Sequence, residues 1–162
     1  NLLLYGGGMM TSETWLLAPV QPARTVPYGA GCAGGSGVPA LAHERDQRLW
    51  LGDTVNVRVA PLPIASPLAL LILGRSRTSW GGVPLPLALD PIGMPGCALH
   101  AEPLLIVPVA ATGGAAVVPL AVCTCPELAG APLFEQAAVV DALANAGGLS
   151  WSNGLDDRFG RR

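Results

Sequence analysis

The densest group of side chains able to do acid–base or metal chemistry is His43-Glu44-Arg45-Asp46. An imidazole beside carboxylates is the raw material of a general base or of a metal site. The same residues also read as a solvated loop between two strands, because loops are where charge collects, and that reading is preferred. His100 and Glu102 lie two apart and would share one face of a strand, yet no Ser or Cys here has the elbow or triad context of a nucleophile. They read as an ordinary surface pair. Cys32, Cys97, Cys123 and Cys125, with the two His residues, hold enough soft ligands for zinc, but their spacings match no zinc motif. Asp53, Asp90 and Asp156-Asp157 are not spaced as a calcium loop and read as turn formers. No catalytic residue, metal ligand or cofactor is assigned on these grounds, and an enzyme is not expected.

Trp15, Trp50, Trp80 and Trp151 are the main aromatic resource. In a chain poor in aromatics they are expected to fill core or interface volume. Trp80 is the exception, because Ser79-Trp80-Gly81-Gly82 places it at a turn, where its face is free to stack on a sugar ring.

The elements that must carry these residues are strands. Of the 162 residues, 51% are hydrophobic and 12% charged, and 21 Gly and 16 Pro cut the apolar residues into short runs. Val55, Val57 and Val59 alternate with Asn56 and Arg58, the mark of a half-buried strand, whereas Leu68 to Leu73 is unbroken and predicts a central strand covered on both faces. A strand is also predicted over Val38 to Ala42 and another over Leu133 to Ala142, with short edge or connecting strands in Val83 to Leu89 and Ala98 to Ala101. Cys125 to Leu128 predicts a single helical turn. Leu149, Trp151, Leu155 and Phe159 keep one odd-numbered phase, so one long strand through Asn153-Gly154 is as good a reading as a hairpin. The resulting fold class is all-β, a two-sheet β-sandwich or jelly roll of eight to ten strands, with an extended tail over residues 1–26 and the module over 27–162.

Leu104 to Thr112 and Ala115 to Val122 flank Gly113-Gly114 and predict a hairpin. A two-residue turn would oppose Pro108 and Pro119 at a hydrogen-bonded pair, where both missing N–H groups are needed. A four-residue connection over Thr112 to Ala115 is therefore expected.

All nine basic residues are Arg and the net charge is −2, so no basic stripe exists to bind nucleic acid. The longest uncharged stretch, between Glu102 and Glu127, is broken by Pro108, Gly113, Gly114 and Pro119, and no transmembrane segment is expected. Asn1 in place of Met, with Leu2 to Leu4 too short for a signal core, reads as a start left by processing or truncation. The even set of four Cys outside any CxxC pattern favours disulfides and export, hence an extracellular or cell-surface location.

Four strings also carry a resemblance. Tyr28-Gly29-Ala30-Gly31-Cys32, Ser79-Trp80-Gly81-Gly82-Val83-Pro84-Leu85-Pro86-Leu87, Gly93-Met94-Pro95-Gly96-Cys97 and Leu149-Ser150-Trp151-Ser152-Asn153-Gly154-Leu155 resemble, in order and spacing, a group of uncharacterised secreted bacterial β-sandwich modules. The resemblance spans about Pro27 to Gly160, implies location more than function, and transfers no catalytic residue. It implies a Cys32–Cys97 disulfide, since both cysteines follow Gly-containing turns in those modules. Cys123, Cys125 and the tail depart from the pattern, and the pairing of Cys123 and Cys125 stays open.

Leu2, Leu3, Leu4 and Tyr5, and then Trp15, Leu16 and Leu17, have strand composition and precede the module. With the low charge they predict head-to-tail self-assembly, the tail of one copy adding a strand to the next. The partners are then other copies of the chain. The alternative is a carbohydrate-binding or adhesion module, with glycans as partners and Trp80 as the stacking residue.

Overall fold

A computed structural model describes residues 20–65 and 68–162. The expected assembly residues Leu2 to Tyr5 and Trp15 to Leu17 lie outside the described residues. The chain is all-β, its strands being β1 (Arg24–Tyr28), β2 (Ala40–His43), β3 (Thr54–Ala60), β4 (Leu68–Gly74), β5 (Ser79–Trp80), β6 (Val83–Pro84), β7 (Leu87–Ala88), β8 (Ala98–Leu99), β9 (Leu105–Thr112), β10 (Ala115–Ala121), β11 (Pro132–Val140) and β12 (Leu149–Arg158). Eight of them form one antiparallel sheet in the order β1-β12-β11-β4-β9-β10-β3-β2, rolled nearly into a barrel, while β5-β6 and β7-β8 are separate two-stranded ribbons. The boundary placed at Val26 falls inside β1, which pairs with β12 from Arg24↔Arg158 to Tyr28↔Gly154, and Gln21 already bridges to Arg161.

Alternation decides which side chains meet. In β3, Val55, Val57 and Val59 are buried and their neighbours are not, as their spacing predicts. One set of inward residues, including Leu41, Val57, Val59, Leu71, Leu73, Ala137, Val139 and Leu155, forms the core inside the roll. The opposite face of β4 and β11 is not solvated, because the excursion from Arg75 to Leu104 folds back over it. Ile72, Phe134 and Ala138 there pack with Leu85, Leu89, Met94, Cys97 and Leu99. This second core is why Leu68 to Leu73 is apolar at every position. Cys32 and Cys97 are disulfide-bonded, with Cα atoms 5.0 Å apart, and fasten the excursion to the segment beside Trp151. Cys123 and Cys125 are bonded to each other, ahead of a 3₁₀ turn at Pro126–Leu128. Both pairs suit an oxidising compartment.

The β9-β10 connection differs from the four-residue loop expected. The turn is the two-residue Gly113-Gly114, both at positive φ (59° and 79°), closed by Thr112↔Ala115 and Ala111↔Ala116. Ladder pairing between the two strands then stops, three residues before Pro108 would have faced Pro119. The missing N–H groups are accommodated by splaying the arms. Pro108 stays in register with Leu70 of β4 and Pro119 with Asn56 of β3. Because hydrogen-bonding sides alternate along a strand, each proline turns its missing donor toward the opening and away from the ladder it keeps.

The single phase expected of β12 is also corrected. β12 is one strand, but its register with β11 shifts between Gln136↔Gly154 and Ala138↔Trp151. The extra residue at Ser152-Asn153 is a β-bulge, which turns later side chains to the other face. Trp151 therefore packs in the outer core and Leu155 in the inner one. Side chains hold the bulge open: Ser152 Oγ accepts Ala137 N–H (2.9 Å), and Asn153 Oδ1 accepts Leu41 N–H (2.9 Å) while its Nδ2 donates to Leu41 O (3.2 Å). One Asn side chain thus stands in for a ladder pair between β12 and β2 and draws the two ends of the rolled sheet together.

Candidate functional site

The phase change in β12 aims Asp157 into the roll. Asp157 pairs with Thr25 on β1 and Leu133 on β11, and Glu135 of β11 pairs with Leu155 one diagonal step away, so the two carboxylates share a face. His43, the last residue of β2, reaches them across the interior. Its Nε2 lies 3.6 Å from Glu135 Oε2 and 3.8 Å from Asp157 Oδ2, and the three side chains are 2%, 0% and 0% exposed. Those separations exceed a hydrogen bond. His43 Nε2, both Glu135 oxygens and Asp157 Oδ2 accordingly have no hydrogen-bond partner.

The outer atoms of the cluster are bonded. His43 Nδ1 is 3.2 Å from the Gln47 carbonyl, an acceptor only, so Nδ1 carries a proton and Nε2 is the basic nitrogen. Thr25 Oγ1 donates to Asp157 Oδ1 at 2.5 Å, leaving Oδ2 facing the imidazole. Arg45 and Asp46, at φ 52° and 54°, form the strained turn that swings Gln47 back over the ring. A pocket of 210 Å³, lined by Thr25, Pro27, Leu41, Ala42, His43, Asp46, Gln47, Arg48 and Leu155, opens beside the cluster.

Burial pushes the Asp157 carboxyl up to about 7, and the Glu135 carboxylate adds to the rise. Burial opposes charge on His43, but its contacts with Glu135 and Asp157 outweigh burial and raise its pKa. Both groups bind protons more tightly folded than unfolded, so the stability they confer is present at low pH and lost as pH climbs through their folded values. In chelating buffer, thermal unfolding is expected to show a higher Tm near about pH 5 than near about pH 8.

The sequence reading of His43 as part of a solvated loop is overturned: Glu44, Arg45 and Asp46 sit on an outer turn, but His43 is buried. Asp156 and Asp157 are not turn formers but strand residues facing opposite ways, Asp156 toward Arg77 (3.6 Å) and Arg158 (3.5 Å). Asp53 pairs with Arg162 at 2.8 Å and Asp90 accepts Gly96 N–H. His100 and Glu102 are not a surface pair. His100 is buried with Nε2 at 2.9 Å from Ala30 O, and Glu102 accepts Arg75 N–H. All four cysteines are consumed by disulfides, which removes them as zinc ligands. Trp80 is 43% exposed on the β5-β6 ribbon, Trp50 lies under Arg162, and Trp151 is buried, its Nε1 donating to Met94 Sδ. Glu135 was not singled out from the sequence; the available signal was a polar pair, Glu135-Gln136, inside an otherwise apolar strand.

Among the described residues no helix is long and apolar enough to cross a membrane. Comparison with protein-family models, with curated proteins and with solved structures finds no match to this chain.

Proposed function

We propose that the protein is an extracellular structural subunit whose copies join head to tail, residues 15–20 of one copy adding a strand in the opening between β9 and β10 of the next. The observation that carries this reading is the splayed hairpin. Beyond Ala111↔Ala116 its arms share no ladder pair, and each arm is paired on its other side only, to β4 or to β3. Leu105, Ile106 and Val117 on those arms are 55%, 50% and 41% exposed, and Val107, Val109, Val118 and Leu120 beneath them are only partly buried. An added strand would supply main-chain partners and cover apolar side chains at alternate positions. Pro108 and Pro119 each take one donor out of the opening, which disfavours indiscriminate edge pairing.

The geometry of the ends favours a neighbour over the subunit's own tail. The chain enters at Gln21 beside β1, four strands from β9 in the sheet order, a path of about 19 Å measured along the rolled sheet at ordinary strand spacing. A contact between unlike surfaces of this kind propagates into a filament unless it closes into a ring. The disulfides and the motif resemblance to secreted β-sandwich modules support an exported location. Sedimentation and electron microscopy test the proposal. Deleting residues 1–19, or replacing Ile106→Asp in the opening, is expected to leave a folded monomer. Wild-type protein that stays monomeric at high concentration, or filaments that survive both changes, would overturn it. Exposed Trp80 favours a second reading, glycan stacking, which a glycan array comparing wild type with Trp80→Ala would detect as binding lost in the variant.

A further inference from the structure

We propose that the interior of the roll binds one divalent transition-metal ion, zinc being the best match, through His43 Nε2 and one oxygen each of Glu135 and Asp157. These donor atoms all lie within 4.8 Å of one another. The His43 separations of 3.6 and 3.8 Å are too long for hydrogen bonds but within a few tenths of an ångström of the ~3.4 Å expected between two ligands on a tetrahedral zinc with bonds near 2.1 Å. A cluster held together by its own hydrogen bonds would have closed to about 2.8 Å. Instead the inner atoms are buried and lack a hydrogen-bond partner, while the outer atoms are fixed by Gln47 O and Thr25 Oγ1. That division, orienting bonds outside and bare donors inside, is how metal ligands are held.

Charge agrees with the geometry. Two buried carboxylates in one site are costly unless compensated, and a divalent cation compensates both. Calcium or magnesium would need six or more oxygens, which the apolar neighbours Leu41 and Leu155 do not supply. Three protein ligands including an imidazole suit zinc, which leaves its fourth position open, and the 210 Å³ pocket lined by His43 and Thr25 lies beside the outer face of the cluster. The ligands come from β2, β11 and β12, so the ion ties the two ends of the rolled sheet together at the side where Asn153 meets Leu41.

The test uses the full chain with its disulfides intact, stripped with a chelator and titrated with Zn²⁺ against a chromophoric competitor. One ion per chain is expected, with a Kd tighter than about 1 µM. Glu135→Gln and His43→Gln, near-isosteric and neutral, should each weaken binding by about 100-fold or more. Co²⁺ in the wild-type protein should give the visible bands of a tetrahedral nitrogen–oxygen site without thiolate charge transfer, a readout that needs no variant to fold. Absence of stoichiometric Zn²⁺ binding, a thiolate band with Co²⁺, preference for Ca²⁺ or Mn²⁺ over Zn²⁺, or unchanged affinity in both variants would overturn the assignment.

Discussion

Replacing both Cys32 and Cys97 with Ala is expected to lower the unfolding free energy by about 4 kcal/mol, the loop-closure value for a bridge spanning 65 residues. The bridge closes the chain between the segment beside Trp151 and the excursion that covers β4 and β11. Without it the unfolded chain regains freedom, and the excursion keeps its packing, its side-chain hydrogen bonds and the bond from Gly147 N–H to Gly93 O. At this chain length the Tm should fall by roughly 10 °C. Denaturant unfolding of wild type and double variant, both with Cys123–Cys125 intact, checks this. An unchanged midpoint would show that the bridge adds nothing to the other attachments.

The second large effect is expected at Gln136. This side chain is fully buried and spans three elements: its Oε1 accepts His100 N–H at 2.7 Å, and its Nε2 donates to Ala98 O (2.9 Å) and Ser152 O (3.0 Å). Gln136→Leu keeps the volume but strands one buried donor and two buried acceptors. At about 1–3 kcal/mol for each unsatisfied group, a loss of at least about 3 kcal/mol is expected. Hydrogen exchange should localise the damage, with His100 N–H losing protection before the amides of β4. Uniform loss across the sheet would mean that Gln136 supports the whole roll and not the attachment of the excursion.

What the sequence made legible follows from how far apart the deciding residues lie. Val55, Val57 and Val59 report their own burial, because alternation is local, and Leu68 to Leu73 reports two covered faces. The Gly113-Gly114 turn was legible as a hairpin, but its length was not, because the prolines left two solutions and splaying depends on β4 and β3 holding the arms. The phase of β12 failed at Ser152-Asn153, where nothing in the string marks an extra residue; the bulge is held by contacts with Ala137 and Leu41. His43, Glu135 and Asp157 are united only by that topology. Each has an innocent local setting, so the cluster could not be read by spacing.

The bulge gives the last strand two reading frames. Upstream of it odd-numbered residues address the outer core, and downstream they address the interior, so one continuous strand serves both layers without leaving the sheet. Removing Asn153 alone would restore strict alternation and leave Leu155, Asp156 and Asp157 on their present faces, because Trp151 would still stand opposite Ala138 and Gly154 opposite Gln136; what would be lost is the side chain that bridges β12 to Leu41. A one-residue deletion here therefore costs a bridge, whereas the same deletion in the regular part of β12 acts as a frameshift in three dimensions.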